Sequence, residues 1–110
     1  MSEQNTLERL AAVIASRRRE DGNTSYTRQL LDGGAEKCAK KFGEEAVETV
    51  LAAMSADPAH LKAEAADTLY HLLVLLESRG IALVDVLTVL EARMGTSGLA
   101  EKAARTRGTP

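Results

Sequence analysis

Aromatic residues are almost missing from this 110-residue chain, which has two Tyr, one Phe and no Trp. A core built around rings is therefore excluded. It has to come from Leu, Val and Ala, in a sequence whose apolar residues make up 45% of the whole. Sheets favour β-branched and aromatic side chains, so this composition points to helices packed on helices. Cysteine occurs once, at Cys38, which rules out an intrachain disulfide and a thiolate metal cluster. An excess of positive charge is also lacking: the formal net charge is −2 and the calculated pI is near 5.7. That argues against the broad basic surface used for nucleic acids. No run reaches the roughly 18 apolar residues of a spanning helix. The start, MSEQNTLERL, lacks the basic and then apolar regions of a secretory signal. The expectation is a cytoplasmic protein that binds neither nucleic acid nor membrane. A chain of this length builds one modest core and not two, so any site lies on the main fold or at a subunit boundary.

Helical periodicity runs through most of what is present. Asn5 or Thr6 caps a first helix with Leu7, Leu10, Ala11 and Ile14 on one stripe and Arg17, Arg18 and Arg19 facing outward or towards a ligand, ending near Asp21 and Gly22. A short helix around Arg28 to Leu31 is closed by Gly33 and Gly34, and the residues before it, Ser25, Tyr26 and Thr27, offer three hydroxyls to whatever lies beside them. The clearest long helix runs from Glu36 to about Ser55, with Cys38, Phe42, Ala46, Val50 and Ala53 buried by periodicity. Pro58 breaks the pattern. Another long helix covers about His60 to Ser78 and stops at Gly80. A last core helix carries Leu83, Val84, Leu87, Leu90 and Met94 and ends near Gly95. Four major helices and one short connecting helix make a compact all-α bundle over residues 1–95, and residues 96–110 are expected to form a basic, frayed tail.

Two acidic segments, EKCAKKFGEEAVE and EAADTLYH, carry the chemistry. At about 100° per residue, Lys37, Lys40, Lys41, Glu44 and Glu48 share one arc of the first long helix, with Glu45 at its margin. Glu64, Asp67 and His71 share an arc of the next. Clustered carboxylates repel unless they face water or share a cation. Mg²⁺ suits them, because it takes hard oxygen ligands and keeps water for a substrate's phosphates, and the three lysines suit phosphate oxygens. Spacing alone also fits solvated charged faces or charged subunit contacts. No phosphate-binding loop of the type GxxxxGK[ST] decides between them. His71 fits a phosphate contact, a part in proton transfer or a polar network within the bundle. His60, at a helix start, is expected in solvent, and Cys38 is expected as a small core residue.

The segments SYTRQLL, EKCAKKFGEEAVETVLAA, EAADTLYHLLVLLESRGI and LVDVLTVLEAR, in this order, closely resemble the phosphoribosyl-ATP pyrophosphohydrolase family, related to the all-α, MazG-like nucleotide pyrophosphohydrolases. The resemblance covers about residues 5 to 95. It implies that EExxE becomes Glu44, Glu45 and Glu48, that ExxD becomes Glu64 and Asp67, and that these five bind Mg²⁺ and act in catalysis. Lys37, Lys40 and Lys41 look like phosphate contacts, with Ser25, Tyr26, Thr27 and His71 near the substrate or behind the metal ligands. The implied reaction cleaves the α–β phosphoanhydride of 1-(5-phospho-β-D-ribosyl)-ATP to phosphoribosyl-AMP and pyrophosphate, the second step of histidine biosynthesis. The resemblance further implies a homodimer, with phosphoribosyl-AMP cyclohydrolase, the pathway neighbour, as a separate chain. Two other readings remain open at this level: a housecleaning nucleoside triphosphate pyrophosphohydrolase, and a non-catalytic helical dimerisation module.

Overall fold

The computed structural model describes residues 5–95; the expected basic tail lies outside the described residues. Among them the fold is all-α. Five helices follow in order: α1 (Thr6–Ser16), α2 (Tyr26–Asp32), α3 (Gly34–Ala53), α4 (Pro58–Ser78) and α5 (Leu83–Met94), with a 3₁₀ turn, Arg17–Arg19, after α1.

Each start has a local cause. Asn5 caps α1 reciprocally: its Oδ1 accepts from the Glu8 N–H at 2.8 Å, and Glu8 Oε1 accepts from the Asn5 N–H at 3.3 Å. The Ser25 hydroxyl accepts from the Arg28 N–H at 3.1 Å to open α2. Asp57 accepts from the Ala59 N–H at 3.0 Å, and Pro58, which needs no N–H partner at the first helical position, opens α4. At the other end of α4, Gly80 takes a left-handed φ of 71°, and the Ile81 N–H returns to the Leu76 carbonyl at 3.0 Å.

α3 and α4 form the long hairpin at the centre, and α1 and α2 close one end of it. The core there is Ile14, Leu30, Cys38, Leu73 and Val74, edged by Leu7, Leu10, Leu31, Tyr70 and Leu76. Cys38 is a core residue, as its pattern predicts; its thiol donates to the Leu30 carbonyl at 3.2 Å. α1 is shorter than the sequence suggests, because the chain tightens into the 3₁₀ turn three residues before Glu20 turns extended.

Two expectations about burial are corrected. In α3, Cys38 is buried and Phe42 and Ala46 are half-buried, but Val50 is 63% exposed and Ala53 is also exposed, while Ala52 is buried instead. The face that meets α4 runs through Cys38, Glu45, Thr49 and Ala52, so the line through Val50 lies to one side of it. The far side of α3 then carries Val47, Val50, Leu51 and Met54 outward. In α5, no residue is buried: Leu83 and Leu87 are half-covered, and Val84, Leu90 and Met94 are exposed. Within one chain α5 is a cover over the hairpin's end and not a core helix. A mostly apolar groove of about 290 Å³ between α1, α4 and α5 contains none of the sequence-predicted site residues. Among the described residues no helix is long and apolar enough to cross a membrane.

Candidate active site

Where α3 and α4 run side by side, carboxylate oxygens of Glu45, Glu64 and Asp67 lie within 4.8 Å of one another. The helix pair is pinned at this level by two hydroxyls. Thr49 Oγ1 lies 2.9 Å from the Glu64 carbonyl, Thr68 Oγ1 lies 2.9 Å from the Glu45 carbonyl, and the two oxygens are 2.6 Å apart. Their two protons are shared among these acceptors. The hydroxyls hold the backbone directly beneath two of the acids, so carboxylate spacing does not depend on the carboxylates themselves. Thr68→Val removes the bond that crosses from α4 to the Glu45 carbonyl and leaves that carbonyl only its donors on α3. The expected cost is about 0.5–1.5 kcal/mol in urea unfolding, with turnover falling by more than the folded fraction does; an unchanged midpoint and rate contradicts that role.

The other acids take different places. Glu48 is exposed, yet its charge reaches Glu64. Glu44 is exposed and pairs with Lys41 at 3.4 Å, outside the trio. Burial, then the charges of Glu45, Asp67 and Glu48, hold the Glu64 carboxyl above the usual carboxylate range, with His60 opposing. His60 is solvent-exposed, as predicted, but its Nε2 lies 3.9 Å from Glu64, a neighbour that helical i,i+4 spacing could have revealed.

On the adjoining wall, His71 is 6% exposed and its Nδ1 is buried with no hydrogen-bond partner. Burial holds its pKa down, opposed by Glu45, so the imidazole is neutral at neutral pH. Its ring meets Tyr70 edge-on at 4.9 Å and Tyr26 at 6.3 Å. Tyr70 hydrogen-bonds Thr27, and Thr27 and Ser25 are buried. Tyr26 is the exposed member of that triplet, at 53%. Lys41 has its pKa raised by Tyr26 and then by its bond to Glu44. Lys37 and Lys40 stand exposed on the same helix. The structure therefore brings Glu45, Glu64, Asp67, Glu48, Lys41 and Tyr26 to one open surface, with His71 buried beneath its edge. Ser25 and Thr27 serve the fold beneath it. Thr49 and Thr68 were missed in the sequence because a threonine in a helix carries no pattern that marks it as a fastener.

Comparison with known proteins gives the family. The family model described as phosphoribosyl-ATP pyrophosphohydrolase matches residues 7–94. The chain is 58% identical over 99 residues to a protein of Cereibacter sphaeroides named phosphoribosyl-ATP pyrophosphatase, covering 90% of this chain and 96% of that one. It is 60% identical over 100 residues to phosphoribosyl-ATP pyrophosphatase 1 of Bradyrhizobium diazoefficiens, covering 91% and 94%. A third relative, from a Ruegeria species and also named phosphoribosyl-ATP pyrophosphatase, is 57% identical over 90% of this chain and 94% of its own. With a family match over residues 7–94 and relatives of this identity along nearly their whole length, the chain belongs to the phosphoribosyl-ATP pyrophosphohydrolase family.

Proposed function

We infer that this site hydrolyses the α–β phosphoanhydride of phosphoribosyl-ATP, releasing phosphoribosyl-AMP and pyrophosphate, the second step of histidine biosynthesis. The protein is in this reading a hydrolase of small-molecule metabolism, and the cytoplasm is the compartment implied. The observation that carries it is the trio of converging carboxylate oxygens beside lysines, on a chain of this family.

The donor set fits a hard divalent cation. Glu45, Glu64 and Asp67 offer oxygen only; burial and then the charges of its acidic neighbours raise the Glu64 pKa, and that repulsion is the kind a shared cation removes. These three would hold Mg²⁺. When bound, Mg²⁺ supplies charge withdrawal from the phosphate oxygens at the reacting phosphorus. The chain's own groups do the rest. Lys41, held between Tyr26 and Glu44, and the free ammonium groups of Lys37 and Lys40 neutralise charge that builds on the departing pyrophosphate. Glu48, outside the trio but close enough for its charge to act on Glu64, is the carboxylate we assign to orient the attacking water and take its proton. Neutral His71 packs behind Asp67 and fixes the angle of the Tyr26 ring.

A second copy of the chain completes the assembly in this reading. Val47, Val50, Leu51 and Met54 expose a continuous apolar strip on the side of α3 away from α4, and Leu69, Val84, Val89, Leu90 and Met94 add to the uncovered apolar surface. A strip of that extent is more than a small monomer ordinarily leaves in water, and a homodimer covers it symmetrically.

The deciding experiment offers the purified protein phosphoribosyl-ATP with Mg²⁺ and with excess chelator, following pyrophosphate and phosphoribosyl-AMP together. Equal amounts of both products are expected, falling to background in chelator. Metal-independent release, or orthophosphate in place of pyrophosphate, contradicts the reading. A housecleaning activity would instead hydrolyse ordinary triphosphates as readily as phosphoribosyl-ATP.

A further inference from the structure

The carboxylates and lysines address the phosphates of the substrate and do nothing for its base. A purine is a flat aromatic surface, and in water it stacks on another such surface whatever its hydrogen-bonding edge. The whole 110-residue sequence holds three aromatic side chains, and the structure describes each of them. Phe42 and Tyr70 are half-buried, whereas Tyr26 is 53% exposed. The exposed ring is the one on the surface that carries the acids.

Tyr26 is held on both sides. The Ser25 hydroxyl before it accepts from the Arg28 N–H at 3.1 Å, and Thr27 after it is buried and bonds the Tyr70 hydroxyl on α4. The backbone that carries the ring is thus tied to α4. Next to the ring lies His71, 6.3 Å away between ring centres and at 89° to it, and Tyr70 meets the same imidazole at 4.9 Å and 78°. His71 is 6% exposed and its Nδ1 is buried without a partner. Interior polar atoms are nearly always paired, so an unpaired one calls for a reason. Here the imidazole is used for its flat body. Its two near-perpendicular ring contacts, an arrangement that aromatic pairs prefer, brace Tyr26 against α4 without a hydrogen bond.

The distance to the acids follows from α4. Asp67 and His71 stand four residues apart on that helix, so their Cβ atoms share a face at a separation of about 5–6 Å. The Tyr26 ring lies one further step of 6.3 Å from the imidazole. A nucleotide whose α-phosphorus sits over Glu45, Glu64 and Asp67 carries its base at a separation of that order, on the far side of one ribose. Resting on the reading of the reaction given above, we propose that Tyr26 is the platform on which the substrate's purine stacks, and that His71 is the positioning residue that sets the tilt of that platform.

The test sets phosphoribosyl-ATP against inorganic tripolyphosphate, which keeps the phosphate chain and has no base, used as a competitive inhibitor of the full chain. Tyr26→Ala is expected to raise KM for phosphoribosyl-ATP by about 5- to 150-fold, the range for removing one base–aromatic stack, with the inhibition constant of tripolyphosphate unmoved. Tyr26→Phe should recover most of the affinity, because the ring and not the hydroxyl makes the contact. His71→Leu should raise KM by a smaller factor with kcat held, and His71→Phe, which restores a flat ring, should reverse most of that rise. Neither constant depends on the amount of active enzyme, so a loss of folded protein cancels. Equal changes for both ligands, no change for phosphoribosyl-ATP, or a Tyr26→Phe variant as impaired as Tyr26→Ala overturns the role of Tyr26. A His71→Phe variant no better than His71→Leu overturns that of His71. If wild type releases no pyrophosphate from phosphoribosyl-ATP, the reading of the reaction fails instead. The stack is then read from tyrosine emission, in a chain that has no Trp: phosphoribosyl-ATP should quench wild type and leave Tyr26→Phe unquenched, and equal quenching of the two overturns the proposal.

Discussion

Glu64→Gln is expected to lower pyrophosphate release by about 100- to 1,000-fold, the scale set by losing one fixed charge aimed at the reacting centre, while leaving the cation-free protein at least as stable as wild type. The two halves of that result have one cause. Glu64 stands within 4.8 Å of Glu45 and Asp67 and has its pKa raised by burial and by their charges. In the folded, cation-free chain its carboxyl therefore holds a proton more tightly than in the unfolded chain. The resulting stabilisation is fully present below the ordinary carboxylate pKa and is lost as pH rises through the raised one. At neutral pH the charge is a burden on the fold, and glutamine removes it without removing the shape. Thermal melts across pH 4 to 8 in chelator check this: wild type loses stability on the way up through the Glu64 titration, and the variant loses less. His71 contributes with the opposite sign, since its lowered pKa gives stability above 6.5 that fades as pH falls below it. Added Mg²⁺ should raise the wild-type melting temperature more than the variant's. A variant that keeps full turnover, or that melts far below wild type in chelator, contradicts this assignment of Glu64.

The second large effect concerns assembly. Val50→Glu puts a charge in the middle of the apolar strip on α3, where Val50 is 63% and Met54 80% exposed within one chain. If that strip meets its copy, the dissociation constant should rise by about 30-fold or more, the cost of losing a central contact residue worth roughly 2 kcal/mol. Sedimentation velocity over a concentration series reads this directly. Helicity of the separated chain should fall only modestly, because Val50 contributes nothing to the intrachain core. A wild-type chain that sediments as a monomer at every concentration, or a variant that associates as well as wild type, sinks the homodimer.

That same residue shows where the sequence was ambiguous. A helix with apolar residues on two sides, Cys38 and Ala52 on one and Val47 and Met54 on the other, has a broad periodic signal whose centre falls between them. The arithmetic that buried Val50 averaged an internal face with an external one. α5 was misjudged for the same reason, since Val84, Leu90 and Met94 are apolar without being covered in their own chain. The start of α1 was legible because Asn5 acts on its immediate neighbour, whereas Ser25 and Asp57 open α2 at Tyr26 and α4 at Pro58, each ahead of the Arg28 and His60 starts that periodicity suggested. The acidic residues were legible as a group and not in their roles. Helical phase put Glu45 at the edge of the charged arc, and that edge is what faces α4 and gathers with Glu64 and Asp67. Glu44, nearer the middle of the arc, turns to Lys41. Which edge faces the partner helix depends on how two helices cross, and one helix's spacing holds no information about the crossing.

The threonine fastening between α3 and α4 has a bearing on the working cycle of the enzyme. Hydroxyls and main-chain oxygens carry no net charge, so nothing in that fastening changes when anions and cations come and go. After products depart, three mutually repelling groups stay gathered on a frame indifferent to their quarrel, and the next nucleotide meets a receptor already in shape. Readiness between turnovers is thus supplied by neutral atoms.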